Sequence, residues 1–147
     1  GTLDLAVMYR PIQPPGHTVE HLFDEEFVLV TSGRAGQRKG NTDYVFINWG
    51  PDFQQDHAAA YPELIKPGLS LDLGSMPLEY VLANELSAYF PMRLVKPYLS
   101  RGRLKQPKRA RRFVYPVYLV YPEARDEEAY EPILDRLRLE CGRYASD

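Results

Sequence analysis

The chain has 147 residues, a formal net charge of −2 and 44% hydrophobic residues. That suits one globular domain, or two small lobes built from one chain. A single cysteine, Cys141, excludes an internal disulfide, and no apolar run approaches the ~18 residues of a membrane span.

In chain order, "LDLAVMY" (residues 3–9) predicts an apolar strand. The sequence has no initiator methionine and enters this strand at once, which reads as a piece of a longer protein rather than a processed export product. "RPIQPPGH" is a loop, since its prolines and glycine continue neither ladder nor helix. "VEHLFDEEFVLVTS" predicts an acidic turn followed by a strand at 27–31. Residues 33–43, rich in Gly, Arg and Lys, predict a surface loop. "YVFI" (44–47) is a buried strand that ends on "NWG". Pro51 suits the first turn of a helix carrying Phe53, His57 and Tyr61 at helical spacing. A half-buried strand at 69–74 precedes Ser75 and Pro77, a cap and first turn for a helix with Met76, Leu78, Tyr80, Val81 and Leu82. "LSAYF" is a short strand. A short helix then carries Leu94, Val95, Tyr98 and Leu99 on one side and stops at Gly102. "RRFVYPVYLVYP" predicts a long strand whose internal proline requires part of it to be an edge or a crossing. The last helix sets Ile133, Leu134, Leu137, Cys141 and Tyr144 on one face, with Pro132 at its start or at a kink. The order predicts an α/β fold with mostly parallel strands, in which the strands at 27–31 and 113–121 flank a compact block.

Several of these segments, in this order and spacing, resemble the regulatory domain of LysR-type transcriptional regulators. "GTLDLAVMY" resembles the family's first "LDLA" strand, and "VEHLFDEEFVLVTS" the acidic segment that follows it. "LEYVLANELSAYFPMRLVKPYLSRGRL" resembles the family's helix–strand–proline–helix run. Where the family usually has G-x-G before the short strand, this chain has Asn84 and Leu86. The resemblance implies a type 2 periplasmic-binding-protein-like fold, with residues 27–112 as one complete lobe and residues 1–26 and 113–147 as part of the other. It implies a small-molecule effector in the interlobe cleft, homo-oligomers and a cytoplasmic protein. DNA is reached only through an N-terminal helix-turn-helix region that the sequence does not contain. A periplasmic solute-binding protein of a transport system is the alternative with the same two-lobed plan.

Strand ends and helix starts supply the effector contacts in such folds. Here those are Thr31, Asn48, Trp49, Gly50, Ser75, Met76 and Tyr89. Asn48 offers donors and an acceptor, Trp49 a flat apolar face, and Gly50 room for backbone approach. The same Asn48–Gly50 stretch also fits a plain turn beside a core tryptophan, and Ser75 a plain helix cap. His17 and His21 have metal-ligand spacing only on a helix, which the prolines oppose, so they read as a solvated pair. Cys141 reads as a small buried apolar residue. Residues 101–112, "RGRLKQPKRARR", read as a solvated basic loop, although such a run can neutralise phosphates. No nucleotide-binding fingerprint, metal cluster or catalytic set is visible, so neither an enzyme nor a cofactor is expected.

Overall fold

The structure is a computed structural model that describes residues 4–9, 13–32, 44–64, 69–71 and 76–145. The chain divides into two compact units. One contains residues 1–25 and 114–147, the other residues 26–113.

In the first unit, β1 (Ala6–Tyr9) pairs antiparallel with β6 (Phe113–Pro122), and β2 (His17–Thr31) lies on the other side of β6. α4 (Glu127–Ala145) covers this sheet. Its Leu134 and Tyr130 pack with Leu119 and Tyr121 of β6, flanked by Leu5, Leu22 and Leu137. Asp126 caps α4 by accepting the Glu128 N–H at 3.0 Å. Arg138 clamps the helix to β2 through Glu20, at 2.6 and 2.8 Å. That pairing holds the Glu20 carboxyl below its usual range, against an opposing contribution from burial.

Three expectations change here. The strand at 3–9 shortens to Ala6–Tyr9 and is exposed throughout, because β1 is the edge of its sheet; Leu3 lies outside the described residues. The acidic segment is no turn but part of the 15-residue β2. Extended backbone is tolerated because its acids have partners. His21 meets Asp24 at 2.9 Å, the Tyr9 hydroxyl donates to buried Glu25 at 3.2 Å, and Glu26, already in the second unit, takes Arg112 at 2.8 Å. Cys141 is half-buried rather than buried. Of the two places expected for Pro132, the start of the helix or a kink, it is not at the start but inside α4. Pro116 of β6 lies beyond the last β1 pair, Tyr9 with Val117, so on that side it has no ladder to break.

In the second unit, β3 (Val45–Ile47), α1 (Pro51–Ala60), a 3-10 turn (Pro62–Leu64), β4 (Leu69–Leu71), α2 (Met76–Ala83) and β5 (Ser87–Pro91) follow in order, and α3 (Met92–Ser100) completes it. β3 and β4 are parallel, and Tyr44 bridges Ser87 in parallel. The expected mostly parallel arrangement holds only for these strands. β2 pairs antiparallel with β5, as β1 does with β6. Helical crossovers join only β3, β4 and β5, whereas β2 and β6 are the strands on which the chain passes from one unit to the other.

Val28, Val30, Val45, Ile47, Val81, Ala88, Phe90, Val95 and Leu104 form the core. On α3, Met92, Val95, Tyr98 and Leu99 pack inward; Leu94 is exposed, since it falls outside the stripe they make. The Asn84–Glu85 turn ends α2. Asn84 Nδ2 donates to the Tyr80 carbonyl at 2.9 Å, and Glu85 takes the left-handed φ of 50°. Among the described residues no helix is long and apolar enough to cross a membrane.

Two leucines of α4 separate packing from propensity. Leu134 is fully buried and Leu139 is 70% exposed. Leu134→Ala is expected to lower stability by about 2–5 kcal/mol, and Leu139→Ala by about 0.5 kcal/mol or less. Urea unfolding followed by circular dichroism checks the difference.

Candidate functional site

β3 ends at Ile47, and the next three residues turn the chain into α1. The Asn48 side-chain oxygen accepts the Gly50 N–H at 3.0 Å, a local bond that asparagine makes readily. Gly50 is the N-cap of α1 with φ 121°, a backbone state that L side chains rarely adopt. A Cβ at Gly50 would meet nothing within 4 Å, so the space beside its backbone is open. Pro51 fills the first turn, and no side chain caps the helix.

Trp49 is half-buried. Its ring meets Phe27 at 5.5 Å and Phe90 at 6.0 Å, and its indole N–H donates to the Tyr89 carbonyl at 2.8 Å. Trp49 and Tyr89 therefore meet directly, through the Tyr89 backbone carbonyl. The Tyr89 side chain is 1% exposed. Its ring packs on Phe53, His57 and Phe113, and its hydroxyl donates to the Arg111 carbonyl at 2.8 Å and lies 3.1 Å from the Tyr61 hydroxyl. Burial, with Tyr61 adding to it, raises its pKa well above the ordinary phenol value. Thr31 is also buried. It exchanges two backbone hydrogen bonds with Lys105, at 2.8 and 2.9 Å, and accepts one from the Ser87 hydroxyl at 2.9 Å. Met76 is the first residue of α2, and Ser75 lies outside the described residues. Asn48, Trp49 and Gly50 thus stand together, with Tyr89 behind them.

Sequence reasoning missed a buried polar pair in the same unit. His57 is 2% exposed, and its Nε2 lies 2.8 Å from the Tyr44 hydroxyl, the two rings stacked at 5.7 Å. The 53–57–61 spacing put His57 on one helix face with Phe53 and Tyr61, but Tyr44 is 13 positions away and nothing local couples them. Burial lowers the His57 pKa, partly countered by Glu63, and raises that of Tyr44. Both groups are therefore neutral near pH 7. Among the described residues no group of three potential metal ligands exists.

This pair has a pH signature. The folded state disfavours imidazolium at His57, so the unfolded chain binds more protons as pH falls below the ordinary imidazole value of about 6.5. Stability should be full above that value and decline below it. His57→Gln should remove this part of the decline. The loss from Glu20 falls lower, below the ordinary carboxyl range near 4, which keeps the two apart. Urea midpoints of the two proteins between pH 7.5 and 5 give the comparison, and parallel curves would refute the assignment.

Residues 1–142 match the family described as LysR substrate binding domain. No curated protein matches the sequence. Among solved structures, the regulatory domain of HypT from Salmonella typhimurium, bromide-bound, shares 13% identity at a TM-score of 0.72, over 95% of this chain and 73% of its own. LysG from Corynebacterium glutamicum, full-length with bound effector arginine, shares 15% identity at 0.67, over 93% and 50%. DarR from Vibrio fischeri, in complex with DNA, shares 15% at 0.74, over 92% and 50%. This chain spans half the length of the last two. At such identities the likeness is one of fold.

Proposed function

The chain belongs to the LysR substrate binding domain family, and on that premise we propose that it is the effector-sensing part of a LysR-type transcriptional regulator. The family consists of regulatory binding domains rather than enzymes, and no residue here is assigned a catalytic role. In the proposed mechanism, residues 27–112 are the second lobe, and residues 1–26 with 113–147 belong to the first. A small molecule is held between the lobes, and it acts by binding one arrangement of them better than another. Sequence-specific DNA contact lies in a helix-turn-helix region outside this sequence, and the protein works in the cytoplasm.

The family match over residues 1–142 carries this reading. The effector-bound LysG and the DNA-bound DarR, both of the same fold, support its two halves. The transport alternative shares the fold but not the family match. Asn48, Trp49 and Gly50 are the favoured effector contacts, with Met76 and Ser75 from the start of α2. Thr31 and Tyr89 are buried and are assigned the task of holding that surface from behind.

Trp49 is the chain's one tryptophan, so its fluorescence reports ligands directly. A small-molecule screen should yield a compound that changes Trp49 emission. At 100 times its Kd it should raise stability by about 2.7 kcal/mol. Asn48→Ala should weaken that compound at least tenfold, about 1.4 kcal/mol, and Trp49→Ala should do the same by calorimetry. A compound bound equally well by both variants would place the site elsewhere.

The protein is also proposed to self-associate through the first unit. β1 is an edge strand, and Val7 and Met8 are 53% and 42% exposed on it. Unpaired edge groups on an apolar strand are a template for another chain. Light scattering should find a dimer or larger species that Val7→Lys reduces to monomer. A monomer at millimolar concentration would refute it.

A further inference from the structure

Nine of the chain's 18 Lys and Arg, and none of its 20 Asp and Glu, lie between Leu86 and Pro122. The densest part follows α3. Arg101, Arg103, Lys105, Lys108, Arg109 and Arg111 are all exposed, and among the described residues none of the six is in an ion pair with an acid. The remainder of the chain is strongly acidic, so this segment is a localised cationic strip on a molecule of nearly neutral total charge.

The strip is held in one shape. Leu104 is 1% exposed and belongs to the second-unit core. The Arg103 and Leu104 N–H groups both donate to the Tyr98 carbonyl, at 2.9 and 3.2 Å. Lys105 and Thr31 exchange two backbone bonds, and the Arg111 N–H donates to the Tyr61 hydroxyl at 2.9 Å. The Arg103 guanidinium lies 5.5 Å over the Tyr98 ring and that of Arg111 5.8 Å over Phe113. Such stacking fixes a guanidinium and leaves its edge N–H groups for an acceptor. Fixed cations lose less entropy on binding than cations on a loose loop.

We propose that this strip is a docking surface for the phosphate backbone of duplex DNA, sequence-independent and made of other residues than the effector contacts. A polyanion fits because the strip presents charge alone. Cores of protein interfaces are depleted in charge and rest on apolar anchors. Here the one large aliphatic residue, Leu104, is already buried. Phosphate contact needs no such anchor, since its affinity comes from release of condensed counterions. The strip has no helix to enter a groove, so it positions DNA and reads no bases.

The test is a salt titration of the 147-residue protein with two labelled duplexes of unrelated sequence, read by fluorescence anisotropy. Both duplexes should bind alike, with affinity falling steeply between about 50 and 200 mM salt. The triple variant Arg101→Gln, Lys105→Gln, Lys108→Gln touches no side-chain contact described above and should fold as wild type by circular dichroism. It should lower the slope of log K against log salt by roughly two to three. Arg136→Gln, on the exposed face of α4, should leave the slope unchanged. The proposal is overturned by no binding at ~50 mM salt or by an unchanged slope in the triple variant. It is also overturned by a polyglutamate peptide of equal charge binding more tightly than the duplexes, which would assign the strip to an acidic protein partner. None of these outcomes depends on an effector being found, so the result stands apart from the fate of the effector reading.

Discussion

The second unit is organised around one requirement: a tyrosine buried to 1% exposure must have its hydroxyl satisfied. A phenol left without a partner in an apolar interior costs on the order of 1–3 kcal/mol. Tyr89 meets the requirement by donating to the Arg111 carbonyl, which fixes the approach to β6 from the basic segment. Its ring receives Phe53 and His57 from α1 and Phe113 from the start of β6. Its own carbonyl accepts the Trp49 indole, which fixes the turn after β3. Two segments distant in sequence, 49–57 and 111–113, therefore converge on one residue of a short strand, and between them they supply a donor, an acceptor and apolar faces.

The elements themselves were legible in the sequence. Helical spacing on α1, α2 and α4 and the continuous apolar runs of β3, β5 and β6 are local patterns, and local patterns are what a single sequence displays. The acidic stretch of β2 was misread because carboxylates depress strand propensity. Its tolerance depends on Tyr9 and on His21, and the chain does not announce these pairings. The antiparallel pairing of β1 with β6 joins residues more than a hundred positions apart. Of the candidate site, the 48–50 turn was visible, because Asn-Trp-Gly before Pro carries its own turn chemistry. The burial of Thr31 and Tyr89 was not visible: Thr31 ends β2 and takes its partners Lys105 and Ser87 from far along the chain, and β5 is buried on both faces from Ala88 to Pro91, which no local alternation announces.

His57 shows the same limit from the other side. Its partner Tyr44 belongs to the bridge that leads into β3, and the two meet only because α1 folds back over that strand. The pair places two neutral polar groups in the interior of the second unit rather than a charge. A charged imidazole there would carry the cost of a buried cation.

The geometry also bears on how a ligand at the turn could be felt elsewhere in the second unit. A ligand that draws Trp49 toward itself either breaks the indole bond to Tyr89 or carries the Tyr89 backbone with it. The first course strips a buried carbonyl of its partner, on the order of 1–3 kcal/mol. The second displaces a ring packed against Phe53, His57 and Phe113 and pulls on the hydroxyl bound at Arg111. Close-packed interiors do not deform continuously, so such a displacement favours a discrete second arrangement. Its energetic scale matches typical coupling between sites, about 1–3 kcal/mol. The cationic strip begins one residue from Gly102 and ends at Arg111, the residue whose carbonyl Tyr89 holds. Ligand at the turn and phosphate at the strip would therefore act on the same buried hydroxyl, and linkage requires that whatever one does to the other is returned in equal measure.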